Sequence, residues 1–183
     1  MTRRTAGVVM AAMAVAVIAA GCTKASQGTA TPSTTDTTAA TAALWDPCTQ
    51  ISSDVLQKLG VDQSSKESGI GGVQQSGWKI CSWSYPPEHN QSVTIYSTIH
   101  TIDEFKKKSE NTDFVSVSVD GRAGWKFHRA TDKDNEICDL VFPFTLGVGS
   151  YQISFGNLDP GMTSSPCEGA TNAAKVLVAA FPG

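Results

Sequence analysis

Hydrophobic positions divide the chain into three stretches. Residues 6–20 are apolar and uncharged, and 23–43 are rich in Thr, Ala, Ser and Pro with hardly any large apolar side chain. From Leu44 onward, short periodic runs alternate with turn residues. Ile51, Val55, Leu56 and Leu59 share one side of a short amphipathic helix over about 52–59, with Gly60 as its stop. Residues 61–77 are polar and Gly-rich and read as a surface loop. Strands are expected over 78–85 and 92–100, antiparallel and joined through Pro86-Pro87-Glu88-His89-Asn90; Val93, Ile95 and Ile99 line one face of the second. Thr101-Ile102-Asp103-Glu104 fits a capping box, and Lys106-Lys107-Lys108 suits the other pole of the same short helix.

Residues 114–119 alternate through Val115, Val117 and Val119, and Asp120-Gly121 is a tight-turn signal leading into a strand over 123–129. A polar turn at 131–135 precedes a strand over 137–144. Residues 147–149 then turn the chain into a strand over 151–155. The last helix is the best specified, with Ser165 as N-cap, Pro166 at its first position and Glu168 at its third. Ala170, Ala173, Ala174, Leu177, Val178 and Phe181 form its apolar face, and Pro182 ends it. The order α-β-β-α-β-β-β-β-α predicts an α+β fold, a mainly antiparallel sheet with helices packed on one face.

Arg3 and Arg4 precede the first apolar run, and Ala19-Ala20-Gly21-Cys22 closes it with small residues before a cysteine. The run is short and is followed by polar chain, the layout of a secretory signal rather than a spanning helix. It resembles the lipobox of bacterial lipoprotein signals. That resemblance implies cleavage before Cys22 and a diacylglycerol on its sulfur. Two acyl chains meet the condition for stable anchoring, since a single chain holds only marginally. Thr2-Arg3-Arg4-Thr5-Ala6 lacks the apolar pair of a twin-arginine signal, so Sec export is expected. Residues 23–43 cannot bury enough surface to offset ordering, and are expected to be a disordered spacer. As a flexible coil they would span about 25 Å and reach at most about 70 Å. The organisation read from the chain is thus 1–21 signal peptide, 22–44 lipidated tether, and 45–183 a single α+β domain.

Charge and cysteines narrow the class. The formal net charge is −3, and losing Arg3 and Arg4 with the signal takes it to −5. That balance argues against a nucleic-acid partner, which needs basic residues to neutralise phosphates, and gives no electrostatic attraction to anionic lipid heads. With Cys22 assigned to lipid, Cys48, Cys81, Cys138 and Cys167 form an even set that reads as two disulfides in an exported chain. Three pairings are open from count alone. A zinc site is disfavoured because no two of the four stand in close C-x-x-C spacing.

No catalytic constellation stands out. His89, His100 and His128 belong to no recognised ligand or nucleophile spacing. Gly147-Val148-Gly149-Ser150 reads as a turn rather than a nucleophile elbow, and Gly69-Ile70-Gly71-Gly72 lacks the residues of a phosphate loop. Asp132, Asp134 and Glu136 alternate as in a calcium loop but lack its glycine and distal glutamate. The three-lysine run reads as a solvated helix end. Trp78, Trp83, Tyr85, Tyr96 and Trp125 are expected mostly in the core, unless two or three line a concave site for an acyl chain or sugar.

Trp45-Asp46-Pro47-Cys48 with Leu56 and Gly60, Cys81-Ser82-Trp83, Val119-Asp120-Gly121-Arg122-Ala123, Cys138 before an apolar strand, and Cys167-Glu168 entering an Ala-rich helix form a set. Together they resemble an actinobacterial cell-envelope lipoprotein family, the domain of unknown function 3558. The resemblance implies an envelope location, an α+β fold and two disulfides. With proximity along the chain, it implies the pairs Cys48–Cys81 and Cys138–Cys167. It carries over no catalytic residue, cofactor or metal. The expected function is a non-catalytic binding module on the extracytoplasmic face of the cell membrane, anchored through Cys22, whose partner is an envelope protein, lipid or glycan. Two alternatives are a lipid or glycolipid carrier with an apolar cavity, and an enzyme with an unrecognised site.

Overall fold

The computed structural model describes residues 34–86, 90–158 and 165–182. The signal-like segment, Cys22 and His89 lie outside the described residues. Among these residues there are five helices: α1 (Thr34–Ala42), α2 (Pro47–Gln50), α3 (Ser53–Leu59), α4 (Ile102–Lys107) and α5 (Pro166–Leu177). The strands are β1 (Glu67–Ser68), β2 (Trp78–Ser84), β3 (Gln91–Thr98), β4 (Asn111–Val119), β5 (Arg122–Arg129), β6 (Ile137–Pro143) and β7 (Ser150–Asn157). They form one sheet in the order β1-β2-β3-β7-β6-β5-β4, antiparallel throughout.

Local sequence explains most boundaries. Ser52 accepts the Val55 N–H at the start of α3, and Gly60 ends it at φ 75°, where a side chain would be strained. Thr101 and Glu104 complete both halves of the capping box on α4. Asp120 (φ 48°) and Gly121 (φ 82°) supply the left-handed pair that a two-residue β4–β5 hairpin needs. Asp46-Pro47-Cys48 and Ser165-Pro166-Cys167 repeat one device, an oxygen N-cap, proline first and cysteine second, with the cap accepting the cysteine N–H in both. Each of those cysteines is bonded to a fully buried strand cysteine. Cys48–Cys81 ties α2 to β2 (Cα–Cα 5.1 Å), and Cys138–Cys167 ties β6 to α5 (4.9 Å).

The core lies on both faces of the sheet. On one, Trp83, Val93, Ile95, Leu140, Phe142 and Ile153 pack with Ile51, with Leu56 and Leu59 of α3, and with Ala170, Ala173, Ala174 and Leu177 of α5. On the other, Val141 and Phe127 pack with Ile102 and Phe105 of α4. Successive strand residues point to opposite faces, so Val141 is turned away from Leu140 and Phe142. The expectation of helices on a single face is therefore corrected: α4 covers the reverse side. The cause is visible in β6, whose Leu140-Val141-Phe142 run is buried without interruption, as in strands covered on both sides.

Two further elements depart from the sequence reading. Helix α1 lies in the stretch expected to be a disordered spacer. Its alanines favour helix, the Thr41 hydroxyl donates to the Thr37 carbonyl (2.7 Å), and the same oxygen accepts the Gly77 N–H (2.8 Å), docking the last turn on the domain. The 61–77 loop holds a 3₁₀ turn, Gln63–Ser65, and the short strand β1, which lengthens the sheet beside β2.

Candidate functional site

Strand register gives the sheet two ends. The first receives α1 and gathers the start of β2, the end of β3 and the β6–β7 turn. The second gathers the end of β2, the start of β3, the end of β7 and the start of α5.

At the second end a groove of about 440 Å³ runs between α3, α5 and the sheet. Tyr85, Phe155, Leu59 and Val176 give it an apolar lining, while Lys58, Gln91, Glu168 and Asn172 supply polar groups. The Tyr85 and Phe155 rings stand 5.6 Å apart, tilted. Tyr85 follows β2 and is held by its N–H, which donates to the Gln91 carbonyl (2.9 Å). Burial pushes its hydroxyl up to about 12. Gly169 lets α5 approach: a Cβ there would collide with three ring carbons of Phe155. A second cleft, about 540 Å³, shares Tyr85 and Gln91 and continues past Asp62, Asn90 and Leu158.

At the first end, Trp45, Tyr151 and Phe181 form an aromatic cluster. Tyr151 and Phe181 are stacked at 4.5 Å, and Trp45 stands edge-on to Tyr151 at 5.6 Å. Arg122 lies over both stacked rings and donates to the carbonyls of Val178 (3.3 Å) and Pro182 (3.1 Å) and to Thr145 Oγ1 (3.0 Å). Its bonds are spent clamping the carboxy-terminal segment. Beside it, a groove of about 550 Å³ is lined by Ala40, Leu44, Trp45, Ile99, Leu146 and Val148, among others.

On the α4 face, Asp139 is fully buried and accepts from Arg129 Nε (2.9 Å), Arg129 Nη2 (3.1 Å) and Gln152 Nε2 (2.8 Å). Burial works against the charged form of the Arg129 guanidinium, but the charge and hydrogen bonds of Asp139, together with Tyr96, outweigh it and raise the group further above its ordinary value. This closed set of partners supports the sheet interior. Lys106 and Lys107 are exposed in the last turn of α4, as expected of a solvated helix end, and in addition Lys106 lies over Trp125 (4.3 Å) and Lys108 over Trp78 (5.6 Å).

The remaining candidates fall to structural duties. His100 stands 3.6 Å from Glu104, and Ser150 donates to the His100 carbonyl (2.8 Å). His128 Nε2 is 3.6 Å from Cys167 Sγ and near Cys138, but both sulfurs are committed to one disulfide and are not thiolate ligands. Asp132 accepts the N–H groups of Glu136 (3.0 Å) and Ile137 (2.9 Å) and so closes its own turn. Gly69 (φ 81°) sits in the tight turn bridged by Ile70 and Val73. Of the five aromatics singled out, Trp83 is core, Trp78, Tyr96 and Trp125 belong to the α4 face, and Tyr85 alone lines the far-end groove. Phe155, Gly169 and the Arg129–Asp139 pair had no signal in the sequence, because they meet their partners only through sheet pairing.

A family model described as "Protein of unknown function (DUF3558)" matches residues 17–180. No curated protein and no solved structure matches the chain.

Proposed function

The chain belongs to the DUF3558 family, and from that premise we propose that it is a lipid-anchored module of the cell envelope that binds, rather than transforms, an amphipathic partner. The observation that carries the anchor is Arg3-Arg4 before an apolar run ending in Ala19-Ala20-Gly21-Cys22. The family match begins at residue 17 and so takes in Cys22. The diacylglyceryl group on Cys22 holds the chain on the extracytoplasmic face, and the oxidised pairs Cys48–Cys81 and Cys138–Cys167 suit that compartment.

The Tyr85–Phe155 groove supports the binding role best. It combines an aromatic lining for an apolar segment with Lys58, Gln91, Glu168 and Asn172 for polar groups. Its floor is set by the close packing of α5 on β7, so the site is formed before a partner arrives. The Tyr85–Phe155 groove is open to solvent, which favours a docking module over a carrier that encloses its cargo.

Native mass spectrometry of the protein, extracted gently from its own envelope, tests this reading. The expected result is a discrete added mass, released on denaturation and separate from lipid on Cys22. Asn172 is exposed on the groove, and Asn172→Trp should fill the site and abolish that mass. Bare wild-type protein, or a mass retained by the variant, would contradict the assignment.

A further inference from the structure

We propose that the end of the sheet receiving α1 rests on the bilayer, with Leu146 and Val148 buried in the membrane interface. This rests on the anchor reading above and goes beyond it by fixing which way the domain faces.

Backbone geometry places the relevant parts together. The Gly77 carbonyl accepts the Ile99 N–H (3.1 Å) and the Thr98 hydroxyl (2.8 Å), while its N–H donates to Thr41 of α1. The Phe144 N–H donates to the Gly149 carbonyl (3.1 Å) and closes the β6–β7 turn. The chain therefore enters the domain beside the turn that carries Leu146 and Val148, and both share a groove with Ala40 and Leu44.

That turn is built to present apolar side chains. Leu146 is 77% and Val148 73% exposed, the highest values for large apolar residues among those described. Gly147 between them is at φ 87° and adds no side chain. Gly149 is at φ 140°, where a Cβ would strike the Thr98 carbonyl oxygen and the Phe144 ring, so the close approach of the turn to the end of β3 requires glycine there. Ile70 and Val73, also exposed, sit on the turn that follows β1 toward the same end. At the opposite end, among the described residues, Leu158 (52%) is the exposed large apolar side chain, beside a cleft that Asp62, Ser84 and Asn90 also line.

Chain length identifies the occupant. Thr34 is twelve residues beyond Cys22 in the sequence, a reach of at most about 40 Å. A bilayer is thus always within range of this end, at high effective concentration. The formal charge of −5 left after loss of Arg3 and Arg4 makes the contact apolar rather than electrostatic. The Tyr85–Phe155 groove then faces away from the membrane, about one strand length, roughly 26 Å, above it.

The test uses the full lipidated protein in phosphatidylcholine vesicles with brominated acyl chains. Leu146→Trp is expected to add blue-shifted emission that is quenched by the bromolipid and is insensitive to salt. Leu158→Trp, at the other end, should add emission that is not quenched. Unquenched, water-like emission from Leu146→Trp would overturn the proposal, as would equal quenching at both positions. The intact mass of the same sample reports lipid on Cys22 separately. A missing lipid would refute the anchor and this proposal with it, whereas unquenched Leu146→Trp emission from protein whose mass carries the lipid would refute the docking surface alone.

Discussion

Removing the two disulfides is a quantitative test of how this domain holds together. Cys48–Cys81 spans 33 residues and Cys138–Cys167 spans 29. In the chain-entropy description these closures contribute about 3.7 and about 3.6 kcal/mol at 25 °C. The two loops share no residue, and they staple different helices to different strands, so their contributions should add. Their sum, about 7 kcal/mol, is comparable with the whole stability of a typical domain, about 5–15 kcal/mol. Urea unfolding followed by tryptophan emission reads this directly, because Trp83 is buried in the cluster that holds both strand cysteines. Replacing either pair by alanine should lower stability by about 3–4 kcal/mol, and replacing both should leave little folded chain. A loss below about 1 kcal/mol for either pair would refute the reasoning. So would a double variant no less stable than the weaker single pair.

Other perturbations probe separate contacts. Gly169→Ala should destabilise by about 1 kcal/mol in thermal melts although alanine favours helix, because overpacking Phe155 outweighs the propensity gain; a stabilised variant would contradict the packing. Asp139→Ala strands Arg129 and Gln152. Arg129 is 35% exposed and keeps some hydration, so the expected loss is about 3 kcal/mol, largely recovered in Arg129→Met with Asp139→Leu; chemical denaturation of the single and double variants decides. Tyr85 ionises near 10 in the unfolded chain and at about 12 when folded, so the folded state holds its proton longer. Stability should therefore be intact below pH about 10 and fall between about 10 and 12, by about 2 kcal/mol from this residue, with Tyr96 and Tyr151 shifted in the same direction. Tyr85→Phe should flatten that fall in alkaline urea titrations; an unchanged slope would count against it.

The legible parts of the fold are those whose signals are local. Alternation marked β3 and β4, the Thr101–Glu104 box marked α4, and Ser165-Pro166 with a periodic alanine face marked α5. Asp120-Gly121 marked a hairpin. What escaped depends on pairing between distant segments. Tyr85 and Phe155 meet because β3 lies between β2 and β7, and Arg122 reaches Pro182 because β5 starts beside the carboxy-terminal segment. The side taken by α4 was hidden because Leu140, Val141 and Phe142 put apolar side chains on both faces of β6, so that run names no preferred side. Helix α1 was hidden because its composition resembles a linker, while the Thr41–Gly77 bond that helps hold its last turn against the domain joins residues far apart in sequence.

The measurement that bears most directly on the central claim is the intact mass and amino-terminal sequence of the mature protein from its own membranes, with thiol alkylation. The account predicts a chain beginning at Cys22, carrying a diacylglyceryl group, with Cys48, Cys81, Cys138 and Cys167 unreactive until reduced. A mature chain that begins elsewhere, or a Cys22 thiol that alkylates freely, would contradict it.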